Sequence, residues 1–242
     1  MIEKIVICGE RCSGTTYLQE LLELNFKNIE ITTEYGNKHF FGFYDYESIK
    51  NEKNILFISI VREISEWCNS LFRTPHHITG FLHNNIQQFL LHEFCSFTDE
   101  DIDTLEIKEI MEDRNIETKE RYKNIFELRH TKLKFLVDDL PKKVKKCILI
   151  RYEDLVDDFE NTMNKIKNCG LEIKRGYPLN TDNYKNLSHV KFSEKKKQIN
   201  VFTKEEIYEN PNFNPYYEEK LGYLYKTNVE DNSKSNINKD MD

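Results

Sequence analysis

The sequence predicts an α/β fold in which a central, mainly parallel sheet is flanked by helices, and three observations carry that prediction. Short, nearly continuous apolar runs at 5–8, 55–61 and 147–150 read as strands, the first buried and the second of the kind buried on both faces. Each is followed by a helical pattern, marked by Leu18, Leu21 and Leu22, by Ser65, Trp67 and Leu71, and by Leu155, Phe159, Met163 and Ile166. At 242 residues and 29.1 kDa, the chain is long enough to bury one large core. No internal repeat appears, and no linker divides residues 1–226, so these form one domain. Residues 227–242 are polar and acidic without apolar periodicity, and are expected to be a disordered tail.

The first strand, Ile5-Val-Ile-Cys8, breaks at Gly9-Glu-Arg-Cys-Ser-Gly14 and restarts after Thr15-Thr16 as a helix. A strand, a glycine-bounded loop and a helix start together form a phosphate cradle, because backbone N–H groups and the positive end of the helix dipole converge there. The spacing Gly9-x4-Gly14-Thr15-Thr16 has the frame of the mononucleotide P-loop, G-x4-G-K-S/T, with Thr15 where the lysine would stand. Without that lysine, ordinary ATP or GTP hydrolysis is disfavoured. The expected architecture is therefore a three-layer, P-loop-like fold.

A second strand is expected near Asn28–Thr32. The polar, aromatic segment from Thr33 to Phe43 then suits a loop at the carboxyl edge of the sheet, where α/β proteins bind ligands. It holds Glu34, Lys38 and His39. The run Ile55–Val61 ends at Arg62, eight residues before Ser70, and a helix between them brings hydroxyl and guanidinium together. That pair suits a terminal phosphate. Pro75 ends the helix and leaves Arg73, His76 and His77 at the same edge.

Residues 81–140 read as mainly helical. Thr98–Asp101 resembles a capping box before a helix over Leu105–Ile110, and the pattern from Glu120 to Leu140 is stopped by Pro141. The run Leu155–Ile166 closes at Gly170, Lys191–Lys197 is a basic cluster, and Tyr216–Tyr225 is a final helix.

Composition narrows the function classes. Hydrophobic residues make up 38% and charged residues 32%, with mean hydropathy −0.69, so the surface is strongly solvated; 12% aromatic content excludes a disordered chain. The net charge of −7 provides no basic field for nucleic acid or an anionic membrane, so an anion site has to be local. Six scattered cysteines with no C-x-x-C pair point to free thiols in a reducing compartment rather than to disulfides or a zinc site. No apolar run approaches the ~18 residues of a membrane span, which gives a cytoplasmic location as the expectation.

Ser13-Gly14-Thr15-Thr16 and the Arg62-x7-Ser70 spacing together resemble the sulfotransferases that use 3′-phosphoadenosine 5′-phosphosulfate, PAPS. In that family the first segment holds the 5′-phosphosulfate and the second the 3′-phosphate. The run Arg151-Tyr-Glu-Asp-Leu155 resembles the family's R-Y-E-D-L, read as architecture. Tyr122, Asn124, Glu127, Arg129 and Lys132 resemble a pattern of the carbohydrate-type members, although most of them also read as a charged helix face paired at i,i+3 and i,i+4. A basic segment like Lys191–Lys197 closes over the 3′-phosphate in such enzymes. Many members place Lys or Arg just before S-G-T, where this chain has Cys12, with Arg11 one step earlier.

The resemblance implies sulfuryl transfer from PAPS to the hydroxyl of a small-molecule or glycan acceptor, a carbohydrate foremost, with no metal. The expected donor-binding residues are Arg11, Cys12, Ser13, Gly14, Thr15, Thr16, Arg62 and Ser70. Arg11 or Lys38 would stabilise the leaving group, and His39, or else Glu34, would take the acceptor's proton. A P-loop kinase and an inactive nucleotide-binding module are the rivals.

Overall fold

A computed structural model describes residues 1–78, 86–98, 108–184, 187–191 and 200–224. Four strands, β1 (Lys4–Cys8), β2 (Glu30–Ile31), β3 (Ile55–Val61) and β4 (Cys147–Arg151), form an all-parallel sheet in the order β2-β1-β3-β4. All seven residues of β3 are buried, as its unbroken apolar run requires of a strand covered on both sides. Register pairs Ile5 with Leu56 and Ile58 with Ile148.

Alternation along the strands sorts the core into two layers. Ile5, Ile7, Leu56, Ile58 and Ile60 pack with Leu18, Leu21 and Leu22 of helix α1 (Thr15–Asn25). Val6, Cys8, Phe57 and Val61 face the other way, onto Leu133, Phe135, Leu136 and Leu140. A third cluster surrounds Trp67 of α2 (Ile64–Arg73) and takes in Phe89 of α3 (Ile86–Leu91). Because β2 and β3 lie on opposite sides of β1, the chain reverses direction there. In open parallel sheets the carboxyl ends at such a reversal border a ligand crevice.

The expected long helices are shorter and more interrupted. Helix α4 (Ile125–Lys134) begins at 125 rather than 120, because Asn124 Oδ1 accepts from the amides of Phe126 (3.1 Å) and Glu127 (3.0 Å). Pro141 does not stop it. A π-turn (Phe135–Asp139) intervenes, and α5 (Leu140–Lys143) carries the proline in its first turn, where no amide is needed.

The expected helix over Leu105–Ile110 is also corrected. Lys108–Ile110 is extended and bridged to Ser96–Thr98, through Thr98 N–H to Lys108 O and Ile110 N–H to Ser96 O, both 2.7 Å. Residues 99–107 lie outside the described residues, as do 192–197 of the basic cluster and the expected tail 227–242.

After β4 come α6 (Tyr152–Asp157) and α7 (Phe159–Lys167), then a two-stranded ribbon of β5 (Asn183–Tyr184) and β6 (Leu187–Lys191). The chain closes with α8 (Lys204–Tyr208) and α9 (Tyr216–Lys220). All six cysteines are free thiols. Among the described residues no helix is long and apolar enough to cross a membrane.

Asn69 of α2 clasps the segment entering α8. Its side chain donates to Ser65 O and Phe202 O, both 2.9 Å, and accepts from the amides of Val201 (2.6 Å) and Phe202 (2.9 Å). Asn69→Ala strands two backbone donors, one of them buried, so denaturant unfolding is expected to show a loss of about 3 kcal/mol. A change below about 1 kcal/mol would mean that 200–202 is held by other contacts.

Candidate functional site

Backbone geometry builds the first half of the site. Gly14 has φ +98°, and a Cβ there would lie 2.4 Å from the Tyr152 ring, so only glycine brings the loop this close to α6. It is the N-cap of α1, where no side chain satisfies the helix's first amides. Gly14, Thr15 and Thr16 at this helix start line a cavity of about 400 Å³, where the positive end of the helix dipole favours an anion. Ser13 corrects the expectation that it faces a ligand. It is fully buried, and its hydroxyl donates to Glu10 O (2.7 Å), so it shapes the loop from within.

Arg62 leaves the end of β3 and lines the same cavity as Thr15, Thr16 and Ser70. Its Nη1 donates to Cys12 O (3.3 Å), its Nη2 pairs with Glu66 (3.2 Å), and its guanidinium stacks 4.9 Å from the Tyr152 ring. Arg62 Nε is buried and has no hydrogen-bond partner among the described residues, a donor suited to an incoming anion. Cys12, at φ +63°, Lys38, His39, Arg73, His76 and His77 complete much of the wall. Four of the lining residues are Lys or Arg, and no Asp or Glu among the described residues joins them, in a chain with 42 acids against 35 bases.

Main-chain bonds place the loop carrying His39. Gly9 N–H donates to Lys38 O (2.9 Å), and the His39 ring nitrogen Nδ1 lies 2.9 Å from Gly9 O. A carbonyl can only accept, so Nδ1 carries the proton and Nε2 is the basic nitrogen. Burial, only partly offset by the Gly9 contact, lowers His39 from 6.5 to about 3.

Two buried ionic clusters underlie this surface. Arg129 donates to Glu10 Oε2 (2.5 Å), Glu218 Oε1 (2.8 Å) and the Arg62 carbonyl (2.6 Å). Burial pushes the Glu10 and Glu218 carboxyls upward against the pull of Arg129. Asp113 accepts from Arg11 (2.7 Å), from Ser96 and from Lys132. Burial would raise the Asp113 carboxyl, but Arg11 and Lys132 outweigh it and hold it below the usual carboxylate range.

Two expected site residues are therefore reassigned. Arg11 lines the cavity, but its guanidinium is tied to Asp113 and Ser96 and packed near the Phe40 and Phe94 rings, so it anchors the loop. Glu34 does not line the cavity. It pairs with Lys4 (2.5 Å) at the amino end of β1, the opposite edge of the sheet, and that contact lowers its carboxyl. Arg129 and Lys132 likewise do not pair along a helix face; they are buried and reach across the fold. Tyr152 goes beyond its architectural reading and forms part of the cavity wall.

Comparison with protein-family models, curated proteins and solved structures finds no match to this chain. The chemistry of the site is read from its own residues.

Gly14→Ala is expected to lower stability by at least about 2 kcal/mol, through the strained φ and the Tyr152 clash, and to weaken anion binding. Unchanged melting and binding would show that the loop tolerates a side chain. His39 supplies a second expectation. The fold prefers its neutral form, so its contribution to stability is complete above pH 6.5 and is lost as pH falls from 6.5 toward 3. Melting temperature should fall less steeply across that window in His39→Gln than in the wild type; superimposable profiles would place His39 in water.

Proposed function

We propose that the chain is a PAPS-dependent sulfotransferase of P-loop-like fold that moves a sulfuryl group to the hydroxyl of a carbohydrate acceptor. The observation that carries this reading is one cation-lined cavity that brings together Gly14, Thr15, Thr16, Arg62 and Ser70. A P-loop frame without its lysine, facing Arg62 and Ser70 from the end of the neighbouring strand, suits a nucleotide with phosphates at both ends of its ribose. Six free thiols support a cytoplasmic setting.

The acceptor oxygen attacks sulfur as the bond from sulfur to the 5′-phosphate oxygen breaks, and adenosine 3′,5′-bisphosphate departs. Such transfers pass through loose transition states, so alignment and charge stabilisation supply most of the rate. The α1 amides, Thr15 or Thr16 and Lys38 stabilise the leaving oxygen. His39 Nε2 takes the acceptor's proton, since its ring is neutral at pH 7 and the anionic donor raises its affinity for a proton.

Thermal shift with adenosine 3′,5′-bisphosphate, ADP and ATP, each with and without Mg²⁺, tests the binding half. Stabilisation by the bisphosphate without metal is expected, and a preference for Mg-ATP would replace this reading with a kinase. Turnover of labelled PAPS against a glycan panel tests the chemistry. His39→Ala should lower kcat by roughly 100- to 10,000-fold while retaining bisphosphate binding. Full activity in that variant would remove His39 as the base.

A further inference from the structure

Arg62 follows β3 and Arg73 ends α2, yet both line two adjoining cavities that share Tyr152. A chain of contacts links the two cations at this junction. Arg62 pairs with Glu66 (3.2 Å), Asn200 Nδ2 donates to Glu66 Oε1 (3.4 Å), and Arg73 donates to Asn200 Oδ1 (3.3 Å). The cavities differ in charge. No acid among the described residues lines the first, whereas Glu66, Glu153 and Asp157 line the second, of about 390 Å³. Phosphates belong on the first side and at the junction; hydroxyl and amino donors belong on the second.

We propose that Arg73 is a second guanidinium of the 3′-phosphate site, selecting a nucleotide phosphorylated on its ribose over a 5′-monophosphate. This inference rests on the PAPS reading above. One guanidinium neutralises half of a phosphate dianion, and the second completes the neutralisation with forked donors. Burial, and then the nearby Arg62 charge, hold the Arg73 guanidinium below its usual range. A dianion between the two arginines relieves that repulsion.

Calorimetry on the full chain with adenosine 3′,5′-bisphosphate and with AMP provides the test, using wild type, Arg73→Met and Arg73→Lys. The wild type should prefer the bisphosphate. Arg73→Met should weaken bisphosphate binding roughly 10- to 100-fold, the range of one hydrogen bond to a charged group, and leave AMP within about twofold. Arg73→Lys should recover part of the loss. A wild-type preference that survives Arg73→Met, or an equal loss for both ligands, overturns the role of Arg73 alone. A wild type without preference for the bisphosphate overturns this inference together with the PAPS reading.

Discussion

One buried guanidinium fixes the distance between the two strand ends on which the cleft is built. Arg129 of α4 binds Glu10 in the first loop, the main-chain carbonyl of Arg62 after β3, and Glu218 of α9, while its own charge lies near the Trp67 ring (5.2 Å). Removing one member of such a buried group typically costs about 3–5 kcal/mol, because the remaining charges have no water to turn to. The same strength makes the group a ruler. The loop after β1 cannot drift from the end of β3 without breaking a charged hydrogen bond in a dry interior.

The second cluster, Arg11, Asp113 and Lys132, extends the brace. Lys132 also donates to His39 O (2.9 Å), so a helix on one face of the sheet holds the segment bearing the imidazole. Burial works against the charged forms of Asp113 and Lys132; the contacts of Asp113 with Arg11 and Lys132 keep its carboxyl charged. The outcome is an acidic protein with a basic hollow. Negative charge dispersed over the surface repels anions generally, and the cleft concentrates its attraction at one opening.

Much of this was legible in the sequence, for a physical reason. A strand buried on both faces has to be apolar throughout, so Ile5–Cys8 and Ile55–Val61 announced themselves; the partly buried strand at Cys147–Ile150 is apolar as well, and the residues just beyond all three fall at the carboxyl edge. Thr15, Thr16, Arg62, Ser70, Lys38 and His39 do share one cavity. The ionic clusters were not legible. Glu10 and Arg129 are 119 positions apart, Arg11 and Asp113 are 102 apart, and local spacing cannot pair residues that only tertiary structure brings together. The same limit misled the reading of Glu34, whose neighbour is decided by Lys4 at the far end of a strand, and of Arg11, whose partner approaches from an irregular segment.

The segment carrying Lys38 and His39 is moored through its own peptide groups: Lys38 O to Gly9 N–H, and His39 O to the Lys132 ammonium. The His39 ring against Gly9 O and the buried Phe41 add to this anchorage, which leaves exposed neighbours such as Thr33 and Glu34 out of it. Exposed positions of this rim can therefore be varied without disturbing the strands beneath it. Evolution, or an engineer, could change what this rim touches while leaving the strand ends that carry Thr15 and Arg62 untouched.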